Sequence, residues 1–208
     1  MYVESISAKI QANLELVGQT PLAAQFYLAG GTAIALHLGH RHSYDLDFFT
    51  PAPFDQGAPR RFLSPLGSLV VEQESDGTFL GTFNNIRISF FVYPYSLLAS
   101  PELLGTVRIA ALDDLAVMKL DAIAARGKKR DFIDLYFMCR DFRPLGEMLP
   151  LVGQKYKGVR YNLPHLLKSL VYFEDAEADP MPQMIEPVSW PDVRCFFEQE
   201  TRALLRQL

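Results

Sequence analysis

The apolar run Phe26-Tyr27-Leu28-Ala29 stops on Gly30-Gly31, the helix-forming stretch TAIALHLGH begins at once, and Tyr44-Asp45-Leu46-Asp47-Phe48-Phe49 follows. A short apolar run ending on paired glycines reads as a strand entering a tight turn, because glycine takes a positive φ at no steric cost. Around Asp45 the side chains of an extended segment alternate between faces, so both aspartates project together while their apolar neighbours point the other way. The unit is therefore strand, turn, helix, strand, with two carboxylates aimed to one side next to a glycine bend.

Each part of that unit has a task in nucleotide chemistry. Two acids on one strand face make a hard, doubly negative oxygen site, suited to magnesium or manganese and unfavourable without a cation. The glycine bend lets phosphate oxygens approach backbone N–H groups at a helix N-terminus, where the dipole favours anions, and the Thr32 hydroxyl adds a donor. Gly30, Gly31 and Thr32 are thus candidate nucleotide-binding residues, and Asp45 and Asp47 candidate metal ligands. Alone, a Gly-Gly-Thr or an Asp-x-Asp is a turn or an exposed strand edge in many proteins; their combination in this order is far more specific.

Elsewhere the periodicity is coarser. Ile6, Ile10, Leu14 and Val17 form the stripe of an amphipathic helix over residues 4–18. Pro51, Pro53, Gly57 and Pro59 mark an irregular connection, and LVVEQES, TFLGTFN and IRISFFVY read as a three-stranded meander turning at Asp76-Gly77 and Asn84-Asn85. From Asp113 the period changes: DDLAVMKLDAIAARG predicts a helix with an N-capping Asp and Gly127 as its stop, and RDFIDLYFMCRDF predicts a second. The remainder reads as helical with interruptions, including LPHLLKSLVYF and a final helix from Trp190 to the C-terminus. The acidic, proline-bearing EDAEADPMPQMIEP between those two reads as a mobile, solvated connector rather than a strap that binds a partner.

Composition narrows the function classes. With 208 residues and 49% hydrophobic content the chain buries a real core, as one domain or a domain plus a helical appendage. A charged fraction of 21% and a net charge of -4 do not match disorder. The pI near 5.6 disfavours generic charge-driven binding to nucleic acid and leaves room for a local basic strip, for which Lys128, Lys129 and Arg130 are the candidates. Cys139 and Cys195 lie far apart, and MYVESISAKI lacks the order of a secretion signal, so a reduced cytoplasm is expected. No stretch approaches the roughly 18 consecutive apolar residues that span a bilayer. His37, His40 and His42 are crowded but lack a second ligand locus, which disfavours zinc.

The run FYLAGGTAIALHLGHRHSYDLDFF and, later, DDLAVMKLDAIAARGKKRDFIDLYFM together resemble the AbiEii/AbiGii nucleotidyltransferase toxin family of the polymerase-beta-like superfamily, over roughly residues 20 to 140. The resemblance implies an α+β fold: a nucleotidyltransferase-like mixed sheet with helices over residues 1–110, and a helical region over 111–208 that packs to form the cleft. It also implies an enzyme that uses magnesium or manganese to move a nucleotide from a nucleoside triphosphate to an acceptor hydroxyl, RNA being the expected acceptor. The context implied is a toxin–antitoxin or phage-defence system with a cognate antitoxin. Carried over by motif, Gly30, Gly31 and Thr32 cradle the nucleotide, Asp45 and Asp47 hold the catalytic metal, and Lys119 faces the triphosphate. Arg130-Asp131-Phe132-Ile133-Asp134 resembles the family's Lys-Asp-x-x-Asp element with Arg in place of Lys, which makes Asp131 a catalytic candidate. For Asp134 a site role and simple pairing with the KKR run both stay open.

One departure stands out. The superfamily's third carboxylate belongs on a later strand, and here that strand reads Ile86-Arg87-Ile88-Ser89-Phe90-Phe91. The equivalent position is Ser89 or its neighbour, neither acidic, so Glu72, Glu74 or Asp131 would have to substitute. Two other readings follow: a catalytically silent module that binds nucleotide or a protein partner, or transfer to a protein hydroxyl.

Overall fold

The computed structural model describes residues 1–159 and 162–206. After a single 3-10 turn at Val3–Ser5, helix α1 (Ala8–Gly18) starts at Ser7, whose hydroxyl accepts the Ile10 N–H at 3.3 Å. The short α2 (Leu22–Gln25) leads to β1 (Tyr27–Ala29), α3 (Gly30–Leu38) and β2 (Leu46–Thr50). The proline-marked connection is not wholly irregular: it contains α4 (Ala58–Leu63), with Pro59 in the first turn, where its missing N–H costs nothing. Then come β3 (Leu69–Ser75), β4 (Thr78–Phe83) and β5 (Ile86–Val92). Asn84 and Asn85 turn the second hairpin at φ 48° and 65°, the left-handed pair that a tight hairpin requires.

The meander is antiparallel, as its pattern predicts, and joins a seven-stranded mixed sheet in the order β3-β4-β5-β2-β1-β7-β6. Strands β6 (Glu102–Leu104) and β7 (Val107–Ile109), too short for a period-two signal, form a hairpin at one edge. β1 pairs antiparallel with β2, and β2 parallel with β5. Alternation then divides the sheet into two unlike faces. Leu46, Phe48, Phe79 and Phe90 turn to a fully buried rear layer, where Phe48 stacks on Phe90 with centroids 5.1 Å apart and α1 packs behind β5 and β7. Asp47, Phe49, Ser89 and Phe91 lie on the other face and line a cavity.

The roof of that cavity is helical. α5 (Leu112–Arg126) ends at Gly127 in the left-handed region and packs on α3, on α6 (Lys129–Asp141), on α7 (Leu145–Lys155) and on α8 (Leu163–Ser169). Asp113 does not cap α5; the N-cap is Ala111, and Asp113 and Asp114 fall in the first turn. Asp114 is fully buried, accepts the Leu98 and Ala99 N–H groups at 3.0 and 3.2 Å, and pairs with Lys155 at 2.5 Å, which ties the loop after β5 to the roof. After α9 (Glu174–Glu177) the chain reaches α10 (Trp190–Leu205), and Phe132, Phe173, Trp190 and Phe197 form an aromatic cluster between α6 and these last elements. The expected continuation of the final helix to the C-terminus ends on residues 207 and 208, outside the described residues.

The acidic segment is pinned rather than free. Asp179 accepts the Lys129 backbone N–H at 3.1 Å, the His42 N–H donates to the Gln183 carbonyl at 2.8 Å, and the Ile185 N–H donates to the His40 carbonyl at 3.0 Å. Arg41 and Met184 form an isolated bridge. The segment is therefore an internal strap, joining the N-terminus of α6 to the loop before Asp45. Among the described residues no helix is long and apolar enough to cross a membrane.

Candidate active site

Gly30 opens α3 at φ +68°, a conformation that side chains strain to adopt, and a Cβ there would lie 3.0 Å from Asp47 Oδ2. At Gly31 a Cβ would lie 2.5 Å from Nη2 of Arg41. The two glycines thus leave room for an acid on one side and a guanidinium on the other. Ala29 provides no side-chain cap, so the first-turn amides of α3 have no side-chain partner at the N-cap. Gly30, Gly31 and Thr32, with Asp45 and Asp47, line a cavity of about 540 Å³.

The structure brings the two aspartates together as the alternation predicts. Asp45 precedes β2, held by its backbone carbonyl, which accepts the Thr32 hydroxyl; that hydroxyl also shares a hydrogen bond with Ser43 at 2.8 Å. Thr32 is 2% exposed, so its hydroxyl fastens the Asp45 segment instead of offering a free donor to a phosphate. Asp47 sits within β2 as the Cα partner of Ser89. Burial and then the neighbouring Asp45 raise the Asp47 carboxyl above its usual range, against the Ser89 hydrogen bond and the charges of Lys119 and Arg130. Two half-buried carboxylates side by side on one cavity wall are a donor set that a divalent oxygen-seeking cation would neutralise, and they fit magnesium or manganese.

Behind this pair lies a buried ion-pair network. Asp134, fully buried, receives Nε and Nη2 of Arg41 at 2.6 and 2.8 Å, His40 Nε2 at 2.8 Å and Lys119 Nζ at 3.0 Å. Lys119 also bonds Asp131 at 2.6 Å, and Arg126 reaches Asp131 at 3.1 Å. Burial alone would raise both acids, but Arg41 and Lys119 around Asp134, and Lys119 and Arg126 around Asp131, outweigh it and hold both below the ordinary carboxylate value, Asp134 well below. Lys119 and Arg126, both on α5, line the cavity. Asp131 and Asp134 are absent from the lining: the carboxylates of the Arg-Asp-x-x-Asp element sit one layer back and anchor the cations in front of them.

The KKR run divides. Arg130 lines the cavity, whereas Lys129 is buried and donates to the Glu177 carbonyl at 3.2 Å, and Lys128 approaches Asp179 at 3.5 Å. A three-residue strip facing a phosphate backbone is not what this chain presents. The cavity also holds residues that no sequence pattern singles out: Arg41, Arg87, Tyr93 and Asp121. Arg41 left a faint signal, since a buried Asp134 demands a fixed cation and a guanidinium suits two-point pairing. The proposed acidic substitutes turn elsewhere: Glu72 accepts from Thr82 at 3.1 Å, and Glu74 pairs with Arg60 at 2.5 Å. His37 Nε2–H donates to the Ala110 carbonyl at 2.9 Å, and with His40 committed to Asp134 neither is set out as a metal ligand.

A family model described as "Nucleotidyl transferase AbiEii toxin, Type IV TA system" matches residues 15–188. The protein aq_aa25 of Aquifex aeolicus (strain VF5) is 40% identical over 198 residues, covering 92% of this chain and 94% of its own. Among solved structures, MenT4, a nucleotidyltransferase toxin from Mycobacterium tuberculosis H37Rv, superposes with a TM-score of 0.61 at 17% identity over 93% of this chain and 81% of its own. JHP933 from Helicobacter pylori gives 0.57 at 16% identity over 96% and 90%. At those identities the two structures establish the fold, and the family match extends well past the nucleotide unit into the helical roof. The chain is a nucleotidyltransferase and belongs to the AbiEii toxin family of type IV toxin–antitoxin systems.

Proposed function

We propose that this protein transfers a nucleotide from a nucleoside triphosphate to a hydroxyl of RNA in the cytoplasm, as a toxin restrained by a cognate antitoxin. The observation that carries the reading is the close approach of Gly30 and Asp47: a phosphate-accepting bend and a metal-ready acid share one surface, with 3.0 Å between Asp47 Oδ2 and the place a Cβ would fill. In this reading the amides of Gly30 and Gly31 receive the terminal phosphates at the start of α3. Arg41 stands beside Gly31 with Nε and Nη2 locked on Asp134, so its charge is fixed before substrate arrives. Lys119, Arg126 and Arg130 add positive charge to the wall.

Asp45 and Asp47 are the residues that would hold magnesium or manganese, which when bound neutralises phosphate charge and polarises the phosphorus under attack. Asp131 acts in this scheme as a positioning residue, keeping Lys119 and Arg126 in place rather than touching substrate. The exposed Arg87 and Arg130, with Arg126, offer a phosphodiester acceptor a local basic rim despite the acidic whole, which favours RNA. The division at residue 110 between a catalytic sheet half and a helical half that closes over it belongs to the same proposal.

Ser89 at the position across from Asp47 favours one rival, a module that binds nucleotide without transferring it. Incubation of the pure protein with α-labelled triphosphates, manganese or magnesium, and total RNA separates the readings. Label should enter RNA, and Asp45→Ala and Asp47→Ala should each lose on the order of 10³-fold or more, as for removal of a principal electrostatic stabiliser. Equal labelling by the variants contradicts the assignment. Label on protein alone points to a protein hydroxyl, and tight nucleotide binding without transfer to the silent module.

A further inference from the structure

Attack by a hydroxyl needs a group to take its proton, and the strand that would offer one offers Ser89. Its Cα is the partner of Asp47, its side chain is buried, and its hydroxyl bonds the Asp47 carboxylate. Glu72 and Glu74 are engaged on the outer strand β3, and Asp131 is held behind the wall by Lys119 and Arg126. Among the described residues three carboxylates line the cavity: Asp45, Asp47 and Asp121.

Asp121 comes from the roof. It is half-buried on α5, across the cavity from the face of β5 that carries Arg87, Ser89 and Phe91 and continues to Tyr93. Asp121 and Tyr93 line the same cavity, and the charge of Asp121 adds to the push that burial gives the Tyr93 phenol, against the hydrogen bond from Tyr156. In the sheet β2 lies between β5 and β1, and the glycine bend follows β1. The acid pair of β2 therefore separates the phosphate cradle from the strand face beneath Asp121, the order that an in-line displacement needs: leaving group, reacting phosphorus, attacking oxygen.

We propose that Asp121 accepts the proton of the attacking hydroxyl, a helix-borne carboxylate doing the work of the acid absent from β5. The assignment rests on the transfer reading above. The acceptor O–H bond breaks as its proton passes to an Asp121 carboxylate oxygen, and the oxygen's electron pair forms the new bond to the α-phosphorus. The bond from that phosphorus to the bridging oxygen breaks, and its pair leaves on pyrophosphate; Asp121 then gives the proton to solvent. Arg87 from β5 and Arg130 from α6 line the same space and can hold an acceptor phosphate while its terminal hydroxyl reaches the carboxylate.

Single-turnover transfer of labelled nucleotide to total RNA, with manganese, is compared for wild type, Asp121→Asn, and Asp121→Asn combined with Ser89→Asp; affinity for a non-hydrolysable triphosphate is measured by calorimetry in each. Asp121→Asn should slow transfer by about 10²- to 10⁴-fold, the range for losing a positioned base, with triphosphate affinity changed less than about threefold. The double variant should recover at least about tenfold of the loss, since Ser89→Asp returns an acid to the face opposite Asp47. A merely structural role for Asp121 predicts lower affinity and no recovery. Wild-type transfer with an undisturbed Asp121→Asn, a fall in affinity that matches the fall in rate, or a double variant no faster than the single overturns this assignment alone. Wild-type protein that labels no RNA overturns the transfer reading and the assignment together.

Discussion

Asp47 faces Ser89 across a parallel pair of strands, and the Ser89 hydroxyl hydrogen-bonds the Asp47 carboxylate. A second acid at that point would sit against a carboxylate that already resists ionisation. Ser89→Asp alone should therefore lower the melting temperature in chelator, and added manganese should restore more of it than the same addition gives wild type. Differential scanning fluorimetry reads both, and a variant as stable as wild type in chelator would contradict the crowding described here.

Asp47 itself gives a prediction with an unusual sign. Its carboxyl is raised by burial and then by Asp45, so in the folded protein the protonated form is favoured relative to the unfolded chain. Its contribution to stability is complete below the unfolded value near 3.8 and is lost as pH rises through the higher folded value. At neutral pH, in chelator, Asp47→Asn should be more stable than wild type while being inactive, and the difference should shrink as pH approaches 4. Manganese at about 100 times its dissociation constant should then stabilise wild type by roughly 2.7 kcal/mol and leave the variant unmoved.

The network behind the site predicts the opposite acid behaviour. Asp134 and Asp131 are buried, yet paired cations hold them below the ordinary value, so they stabilise the fold above the unfolded value and that stability disappears as pH falls through their depressed ones. Asp134→Ala leaves Arg41, Lys119 and His40 without their shared acid and should cost on the order of 3–5 kcal/mol in urea unfolding at pH 7. The deficit should narrow below pH 4. A loss under about 1 kcal/mol would mean that the network is not what holds α6 against the loop at residue 41.

At the bend, Gly31→Ala puts a methyl 2.5 Å from Nη2 of Arg41, so the guanidinium or the backbone must move. About 1–3 kcal/mol of stability should be lost, as for overpacking elsewhere, and triphosphate affinity should fall with it. Gly30→Ala meets both Asp47 Oδ2 at 3.0 Å and the strain of φ +68°, and should be at least as damaging. Urea unfolding and calorimetric binding check both.

For the acceptor, the division of the KKR run separates two neighbours. Arg130→Gln should reduce the slope of log affinity for RNA against log salt by about 1, the loss of one phosphate contact. Lys129→Gln should leave that slope unchanged and lower stability instead, because Lys129 donates to the strap at Glu177 and Asp179 and lies over the Trp190 ring at 5.2 Å. Equal salt slopes for the two variants would contradict the division.

Much of this was legible in the sequence where local chemistry dictates local structure. The paired glycines, the Asp-x-Asp alternation, the Asn84-Asn85 turn and the Gly127 stop each force a backbone state with few alternatives. What escaped was set by distant contacts. Strands β6 and β7 span three residues each and pair only with one another and β1, so no window carries their signal. The strap reads as solvated because its acids are exposed in type, while its docking runs through backbone groups at residues 40, 42, 183 and 185. Asp121 is spaced two residues from Lys119, a step that no helical face rule singles out. The motifs bring Thr32 and Asp131 near the cavity, but whether a side chain faces a ligand or the layer behind it depends on partners such as Asp45 and Lys119, whose arrangement only the folded chain specifies.

On the function proposed here, Asp45 and Asp47 capture a divalent cation beside the bend that takes the polyphosphate. A crystal soaked with manganese and a non-hydrolysable triphosphate tests it most directly through anomalous scattering at the manganese edge. An anomalous peak is expected within coordination distance of both aspartates, with phosphate oxygens against the Gly30 and Gly31 amides. Manganese bound elsewhere in the cavity, or a triphosphate lying away from α3, would contradict it.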